Sequence, residues 1–243
     1  MNPSNPATSE ILLAEQAAYY RARAGEYDEW FFRRGRYDRG ADANTAWFAE
    51  IDEVRAALEV FRPIGNVLEL ACGTGLWTER LLQYANHLTC VDASTEMIEI
   101  NRARVGAGAE YIQADLFSWK PERKYDTVFF GFWLSHVPPD RFDSFWSTVR
   151  SALTPGGRVF FVDSRFEPTS TASNHALEGP AATSVTRKLN DGREFRVVKV
   201  FYEKETLAAR LAALGFKADI HVTPTYFLHG SASALSEIGL PQT

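Results

Sequence analysis

The sequence predicts an α/β fold in which helices cover both faces of a mostly parallel β-sheet. Short apolar runs typical of buried strands alternate with segments in which apolar residues recur every three or four positions. A glycine-rich turn follows the first of these strands, and several strands end on an acidic residue. Strands that alternate with helices are typical of parallel sheets whose two faces are both buried.

Two helices are predicted ahead of the first strand. Residues 9–23 are rich in Ala and favour a helix. The next segment repeats apolar residues at steps of four and three, which places on one helix face Trp47, Ile51, Val54, Leu58 and Phe61. We therefore expect residues 1–62 to form an N-terminal helical cap and residues 63–243 to form the main domain.

Five apolar runs are predicted to be the parallel strands: residues 67–70, 88–92, 109–115, 125–131 and 158–163. Helical patterns at 95–105 and 140–153 separate some of them. Toward the end, a leucine stripe closed by Gly215 predicts another helix. The two runs after it, FKADIHV and TYFLHG, predict an antiparallel hairpin that brings the number of strands to seven.

Residues 164–200 interrupt this alternation, directly after the fifth strand. The first part is rich in Ser, Thr, Ala and Pro and has no period, and the second part contains the strong turn sequence Asn190-Asp191-Gly192. Ligands of open α/β sheets bind at the carboxyl ends of the strands, and long loops there are usually functional. We therefore expect this insertion to be a lid over the site.

Composition and charge exclude several classes of protein. The 243 residues include 26 Lys and Arg against 31 Asp and Glu, a net charge of −5, so nucleic acid is not an expected partner. No apolar run reaches the roughly 20 residues of a membrane span, and no secretory signal is evident at the N-terminus. Two cysteines make no disulfide framework, which favours a cytoplasmic protein.

The run VLELACGTGLWTERLL, residues 67–82, leads from a strand through Gly73-Thr74-Gly75 into a helix. Such a loop lets a ligand approach the backbone closely. A dinucleotide-binding loop is one interpretation, although Thr78 occupies its third glycine position. A phosphate-binding P-loop is excluded because no Gly-Lys-Ser/Thr follows. Glu69 would repel a pyrophosphate and suits a ligand with positive charge.

Two further acids follow strands at the same predicted edge. Asp92 ends the second strand, where a carboxylate accepts hydrogen bonds from ribose hydroxyls in nucleotide sites. Asp115 ends the third strand, within reach of an adenine amine. Together with Glu69 these acids predict an electronegative pocket beside the glycine loop.

LELACGTG, followed by VDASTEM, ADLF, YDTVFFGFWLSHV and LTPGGRVFFVD, resembles the class I S-adenosylmethionine-dependent methyltransferases over residues 67–163. It is similar to the small-molecule branch that contains quinone and natural-product methyltransferases. The resemblance implies a seven-stranded, doubly wound, Rossmann-like sheet and S-adenosylmethionine as cofactor. Upstream, Tyr20, Ala24, Tyr27 and Asp28 match the Y-x-x-x-A-x-x-Y-D helix of this branch.

The resemblance also implies roles for individual residues. Glu69 would lie near the methionine amine, Asp92 would hold the ribose hydroxyls, and Asp115 would bind the adenine amine. The remaining implied cofactor residues are Tyr20, Tyr27, Ala71, Gly73, Gly75, Ala93, Met97, Leu116, Phe130 and Gly131.

Acceptor-side residues are predicted from their position beyond the fourth and fifth strands. His136, with an ordinary pKa near ~6.5, is suited to take a proton from the acceptor, or it is a loop histidine that caps the next helix. Trp133 lines the site or packs on that helix. Arg165, His175 and Tyr226 are further substrate-side candidates. No Cys/His spacing predicts zinc, and no Asp/Asn/His set predicts magnesium, so we expect no metal.

These observations favour a methyltransferase that moves a methyl group to O, N or S of a small, partly apolar molecule by in-line displacement. The cofactor brings the activation, so no prominent catalytic dyad is required. Two alternatives stay open: a nicotinamide-dependent oxidoreductase, and a non-catalytic S-adenosylmethionine-binding module. We expect a cytoplasmic protein with no nucleic-acid or membrane partner, and a homodimer is possible.

Overall fold

A computed structural model describes residues 6–235 and shows one seven-stranded sheet and a separate two-stranded sheet. The strands are β1 (Gly65–Leu70), β2 (Ala85–Asp92), β3 (Glu110–Gln113), β4 (Tyr125–Gly131), β5 (Leu153–Ser164), β6 (Ser184–Lys188), β7 (Glu194–Val198), β8 (Phe216–Val222) and β9 (Phe227–Ala234). The order in the large sheet is β3-β2-β1-β4-β5-β9-β8. The predicted α/β class and the seven strands are confirmed.

Seven α-helices accompany the strands in residues 6–235: α1 (Pro6–Arg23), α2 (Tyr27–Phe31), α3 (Ala41–Phe61), α4 (Thr78–Leu81), α5 (Thr95–Val105), α6 (Phe142–Ala152) and α7 (Lys204–Ala213). Three α-helices precede β1 where the sequence predicts two: α1 and α3 are the predicted helices, and the short α2 lies between them. None of the helices within the described part of the chain is long and apolar enough to cross a membrane.

In the large sheet, the five neighbouring strands β3, β2, β1, β4 and β5 are parallel to one another. β9 pairs antiparallel with β5, and β8 pairs antiparallel with β9. The chain turns back at β1, whose neighbours β2 and β4 lie on opposite sides of it. The carboxyl ends of β2, β1 and β4 therefore meet at one edge, next to the point where the strand order reverses, which is where ligands of open α/β sheets bind.

Each face of the large sheet is buried in an aromatic-rich core. On one face Trp146 of α6 is fully buried and packs at 5.0 Å from Phe216 between ring centres. On the other face Trp47 of α3 is fully buried and packs at 4.7 Å from Phe227. The helical stripe predicted through Trp47 and Ile51 is thus the face that α3 buries against the sheet.

The small sheet of β6 and β7 lies within the predicted insertion, residues 164–200, and packs against α1. Tyr19 of α1 forms a third apolar cluster with Val185 and Val197 of the hairpin. Asn190-Asp191-Gly192 form its turn, with Gly192 at φ 92°. The hairpin and the N-terminal helix therefore make one layer over the carboxyl edge of the large sheet. The division into a cap and a main domain stays a prediction.

Some boundaries differ from the predicted ones. β3 ends at Gln113: Ala114 N still donates to Asp92 O of β2 at 2.9 Å, but Asp115 O accepts from Trp119 N at 2.8 Å, so the chain turns there. β5 begins already at Leu153, since the Pro155-Gly156-Gly157 segment continues from α6 into the strand. The helix after the glycine turn, α4, has only one turn.

Candidate functional site

The carboxyl ends of β1, β2 and β4 border a cavity of about 560 Å³, called the large cavity below. Its volume is typical of pockets for small ligands. Most residues predicted for the cofactor line it: Tyr20, Tyr27, Ala71, Gly73, Asp92, Ala93, Met97, Asp115, Leu116 and Gly131. The fold thus brings together residues from the N-terminal helix, the glycine turn and the ends of three strands.

Asp92 is held rigidly at the end of β2. Its Oδ2 accepts a hydrogen bond from Gly73 N at 2.9 Å, and its Oδ1 accepts one from Ser94 N at 2.9 Å. Burial raises the pKa of this carboxyl, and the bonds from the backbone counteract that rise. The remaining lone pairs of the two oxygens are free to accept hydrogen bonds from neighbouring hydroxyls of a ligand.

The two glycines of the turn have different functions. Gly73 has φ 53°, and a Cβ placed there would meet no atom within 4 Å, so the turn leaves open space toward the large cavity. Gly75 has φ 91°, and a Cβ there would lie 2.6 Å from Asn101 Oδ1. Gly75 lines none of the described cavities, nor does Phe130, which is buried in the core. Gly75 and Phe130, both predicted to bind the cofactor, therefore pack beneath the site and do not line it.

Glu69 is 2% exposed and lines a smaller side cavity together with Tyr27, Gly73 and Gly131. Its Oε2 accepts hydrogen bonds from the Thr78 hydroxyl at 2.6 Å and from the Cys90 thiol at 3.5 Å. Burial raises the pKa of the Glu69 carboxyl to about 8, against the lowering effect of these two bonds. A positively charged group in the side cavity would stabilise its carboxylate form.

Two non-glycine residues adopt left-handed backbone conformations where strands meet the cavities. Ala71 follows β1 with φ 54°, and Phe132 follows β4 with φ 57°. This conformation costs a residue with a Cβ about 1–2 kcal/mol. Such strain concentrates at functional sites. Both residues line the large cavity and the side cavity, so the strained positions coincide with the predicted site.

A second cavity, called the basic cavity below, lies between α1, the small sheet and the end of β4. It has a volume of about 50 Å³. One water molecule needs about 10–15 Å³ of such volume, so the basic cavity holds a group of only a few non-hydrogen atoms. Three cationic side chains line it: Arg23, Arg187 and Lys199.

The cations of the basic cavity are poorly matched by acids. Arg23 is 7% exposed, its Nη2 donates to the Tyr37 hydroxyl at 3.2 Å, and its Nε has no partner among the described residues. Arg187 donates to the hydroxyl of Thr171. No Asp or Glu is among the residues found to line the basic cavity. Buried charges are normally paired, so this arrangement favours an anionic ligand.

Lys199 lies close to the carboxylate of Asp163. It is 6% exposed, and its Nζ donates to Ser135 Oγ at 2.8 Å and lies 3.6 Å from Asp163 Oδ1. Asp163 also accepts a hydrogen bond from Ser135 N at 2.8 Å. Burial lowers the pKa of Lys199 to about 8, although Asp163 counteracts this effect.

The large and the basic cavity meet at a wall of four side chains, which line both: Tyr20, Tyr27, Phe132 and His136. His136 is 8% exposed, and its Nε2 lies 2.7 Å from the Tyr20 hydroxyl. Burial, followed by the charge of Lys199, lowers the pKa of His136 well below its ordinary value. The imidazole is therefore neutral at physiological pH.

The N-terminal segment and the insertion are joined across the top of the basic cavity. The Trp30 indole donates to Ser170 O at 2.9 Å, and Arg33 Nη2 donates to Thr169 O at 2.6 Å. Farther out, Ser173 N donates to Arg36 O at 2.8 Å. The two segments thus form one cover, with the insertion where the lid was predicted.

Of the acceptor-side residues predicted from sequence, some line a cavity and some do not. His175 lines the basic cavity, and its pKa is lowered to about 4 by burial. Trp133 lines the large cavity and also packs on Phe145 of α6 at 6.5 Å. Arg165 and Tyr226 line none of the described cavities. Arg165 Nη1 instead donates to Thr223 O at 2.7 Å, and the substrate-side roles of Arg165 and Tyr226 stay predictions.

Sequence reasoning missed Arg23, Arg187 and Lys199. Each is a single cation in an ordinary helix or strand pattern, and only the packing of the hairpin on α1 brings the three together. Within residues 6–235, no group of three or more His, Cys, Asp or Glu side chains is arranged to hold a metal ion.

Part of the chain matches a known protein family. The family model described as "Methyltransferase domain" matches residues 67–157, from β1 into β5. The structure of the DhpI–SAH complex (SAH, S-adenosylhomocysteine) is 39% identical in sequence, covers 93% of this chain and 98% of its own, and has a TM-score of 0.75. The DhpI–SAM–HEP complex (SAM, S-adenosylmethionine) is 38% identical, covers 91% and 97%, and has a TM-score of 0.77.

Curated relatives match over shorter stretches. An uncharacterized methyltransferase of Bacillus cytotoxicus is 26% identical over 143 residues, which is 58% of this chain and 67% of that protein. Malonyl-[acyl-carrier protein] O-methyltransferase 2 of Ilyobacter polytropus is 29% identical over 119 residues, 45% of this chain and 43% of its own length. The DhpI structures cover more than nine-tenths of this chain and so extend the similarity beyond these stretches.

Proposed function

Because the chain belongs to the class I S-adenosylmethionine-dependent methyltransferases, we propose that it methylates a small anionic molecule bound in the basic cavity. The expected activity and cofactor are confirmed by relatives of 38–39% identity that were solved with SAH or with SAM. The nicotinamide alternative is thereby set aside. Thr78, at the third glycine position, supports Glu69 instead.

The residues of the large cavity and the side cavity fit S-adenosylmethionine. Asp92 offers carboxylate oxygens for two hydroxyls, and the open space above Gly73 admits a ligand against the backbone. Glu69 offers a carboxylate to an ammonium group in the side cavity. When bound, the cofactor supplies a methyl group on a positively charged sulfur, which needs no further activation.

The charge of the basic cavity supports an anionic acceptor. Arg23, Arg187 and Lys199 face a volume of about 50 Å³ whose lining residues include no acid. An anion there would form charge-assisted hydrogen bonds to donors that are already desolvated, and such bonds are among the stronger ones in proteins. The small volume favours a compact group such as a carboxylate or a phosphate.

The common wall of the two cavities supports their pairing as cofactor site and acceptor site. Tyr20, Tyr27, Phe132 and His136 line both, so a group in each would meet at these side chains. The protein then holds the two reactants in line and excludes water, and such positioning is worth ~7–11 kcal/mol in favourable cases. DhpI forms a complex with both SAM and a further component, HEP, which fits a site of two compartments.

The test is a panel of acceptors assayed by SAH formation. Small carboxylates and phosphate monoesters are compared with neutral amides and alcohols of the same size. We expect kcat/KM for the best acid to exceed that for its neutral counterpart by at least about tenfold, the loss of one charged hydrogen bond. Preference for neutral acceptors, or turnover only on tRNA or protein, would exclude the proposal.

The cytoplasmic location, the absence of a nucleic-acid partner and the possible homodimer stay predictions from the sequence. So do the individual roles of the cofactor residues, which the binding experiments below address.

A further inference from the structure

Three distant parts of the chain meet around the imidazole of His136. Its Nδ1 lies 2.7 Å from Val198 O at the end of β7, and its Nε2 lies 2.7 Å from the Tyr20 hydroxyl on α1. Gln16, one turn before Tyr20, is 4% exposed. Its Nε2 donates to His136 O at 3.2 Å, and its Oε1 accepts from Val198 N at 3.0 Å.

These contacts fix the position of the ring proton. A backbone carbonyl can only accept, so the bond to Val198 O requires the hydrogen of His136 on Nδ1. The imidazole is neutral, because burial lowers its pKa, and its Nε2 is therefore an acceptor. Burial also raises the pKa of Tyr20 well above its ordinary value, so its phenol keeps its proton. Tyr20 must donate to His136.

The direction of this bond decides what Tyr20 offers to a ligand. Since its only hydrogen points at His136 Nε2, the phenol oxygen presents lone pairs, and no donor, to its other neighbours. Tyr20 lines both the large and the basic cavity. At the wall between the two cavities, the Tyr20 phenol oxygen is therefore a hydrogen-bond acceptor, and the side chains around it in the basic cavity include cations.

We propose that Tyr20 and His136 together accept the proton of the methyl acceptor, with Tyr20 touching the acceptor and Gln16 acting as a positioning residue. The inference rests on the proposed function, since it places the acceptor in the basic cavity. It adds a requirement: the attacking atom of the acceptor carries a hydrogen, in addition to the negative charge elsewhere in the molecule.

Atoms and charge are conserved in this step. The hydrogen of the attacking atom passes to Tyr20 Oη while the Tyr20 hydroxyl hydrogen passes to His136 Nε2. The electron pair of the broken bond to hydrogen forms the new bond to the methyl carbon. The sulfur–carbon bond breaks with its electron pair left on sulfur. The positive charge that sulfur loses is matched by the one that the imidazole gains.

The surroundings of His136 make this charge unfavourable unless an anion is bound. The titratable groups around it on the basic-cavity side include Tyr20 and Arg23 of α1, Tyr27 of α2, Arg187 of β6, Lys199 after β7, Asp163 of β5 behind Lys199, and His175, whose pKa burial lowers to about 4. Three of these are cations, and they disfavour an imidazolium. The negative charge of the acceptor offsets them, so proton acceptance is coupled to a filled basic cavity.

The first test needs no acceptor. In ¹⁵N NMR of the full chain with SAH bound, we expect His136 to be neutral with its proton on Nδ1 across about pH 6 to 8. Tyr20→Phe should shift the Nε2 resonance and leave Nδ1 protonated. Gln16→Leu should produce a mixture of tautomers, whereas Glu15→Gln, which alters a contact of the same helix turn with Arg196 of β7, should not. A ring protonated on Nε2 would overturn the proposal.

The second test uses the best acid from the acceptor panel. His136→Asn keeps a donor where Nδ1 lies and removes the Nε2 acceptor. This variant and Tyr20→Phe should lower kcat by about 100-fold with little change in KM. The wild-type rate should be nearly constant from about pH 6.5 to 7.5, whereas the His136→Asn rate should climb with pH, because only acceptor molecules that have already lost their proton react.

The two tests separate the possible failures. If no acid is methylated, the proposed acceptor class is wrong, and the tautomer experiment still decides whether the pair is built as described. If acids are methylated and His136→Asn, shown folded by its thermal unfolding, keeps the wild-type rate and pH profile, then the pair does not accept the proton and the proposal is wrong.

Discussion

The backbone N–H of Gly73 donates a hydrogen bond of 2.9 Å to Oδ2 of Asp92, which joins the glycine turn after β1 to the end of β2. A second backbone group, Ser94 N, holds the other carboxylate oxygen at 2.9 Å. The carboxylate is therefore oriented before any ligand binds. The binding free energy of a ligand that contacts it is reduced little by the cost of ordering this side chain.

Asp92→Asn should weaken SAH binding by about 10- to 100-fold, the range expected for losing a hydrogen bond to a charged group. The measurement is isothermal titration calorimetry at neutral pH. Asp115→Asn is the matched control. Asp115 also lines the large cavity but is exposed, and its Oδ1 accepts from Phe117 N at 3.0 Å, so we expect a loss below about tenfold. Equal losses would contradict the assigned role of Asp92.

Alanine at Gly75 should mainly affect stability, whereas alanine at Gly73 should mainly affect cofactor binding. Gly75→Ala forces a Cβ to within 2.6 Å of Asn101 Oδ1 and should lower the thermal unfolding temperature strongly. Gly73→Ala meets open space, so it should cost stability only about 1–2 kcal/mol for its positive φ. Its methyl group projects toward the large cavity and should reduce SAH affinity. A stable Gly75→Ala variant would show that the turn is less tightly packed than described.

Glu69 should release a proton when the cofactor binds. Its pKa of about 8 leaves the carboxyl mostly protonated at neutral pH, and an ammonium group in the side cavity favours the carboxylate. Calorimetry of SAH binding in two buffers of different ionisation enthalpy should detect a release close to one proton near pH 7. Affinity should rise with pH up to about 8.

Glu69→Gln is the control for this proton. The variant should bind SAH without proton release and with an affinity that no longer depends on pH in this range. In the free protein the raised pKa of Glu69 means that the folded state binds more protons than the unfolded chain between 4.5 and about 8. Wild-type stability should therefore fall as pH rises through that window, and the Glu69→Gln variant should lack this component.

Arg187→Met should raise KM for the acidic acceptor by about 10- to 100-fold, because it removes a charged donor from the basic cavity. Cofactor affinity should stay unchanged, since Arg187 does not line the large cavity. Arg193→Met, on the exposed part of the same hairpin, tests for a general effect of charge and should leave KM unaltered. Equal effects of both variants would point to long-range attraction rather than a binding contact.

Acceptor binding should weaken as Lys199 loses its proton. Its pKa of about 8 means that the basic cavity keeps three cations below that pH and two above it. KM for an acidic acceptor should therefore rise between about pH 8 and 9. Lys199→Arg should remove this rise, because an arginine stays protonated throughout. A KM independent of pH in the wild type would show that Lys199 does not contact the acceptor.

The sequence predicted the framework of the site well, and the reasons are local. A buried strand, a glycine turn and an acid at the next strand end are each encoded within a few residues, and parallel topology then brings Glu69, Asp92 and Asp115 to one edge. The helical stripe of α3 was predictable for the same reason, since the burial of Trp47 and Ile51 follows their spacing.

The basic cavity could not be predicted in this way. Arg23 lies on α1, Arg187 on β6 and Lys199 directly after β7, and no local pattern distinguishes them from surface cations. Their proximity depends on the packing of Tyr19 against Val185 and Val197, a contact between segments about 170 residues apart. His136 was found because it follows β4 closely, but its partners Tyr20 and Val198 lie 116 and 62 residues away along the chain.

The packing of the insertion hairpin on α1 has a consequence for how such proteins diversify. The acids and the glycine turn of the proposed cofactor site belong to the edge of the large sheet, whereas the three cations of the basic cavity come from two excursions outside it, one before β1 and one after β5. Changes at the basic-cavity positions of those excursions can alter the choice of acceptor and leave the acids of the donor site intact. Paralogues of this fold should therefore differ most in their N-terminal helix and this hairpin, and exchanging the two as a matched set should carry selectivity with them.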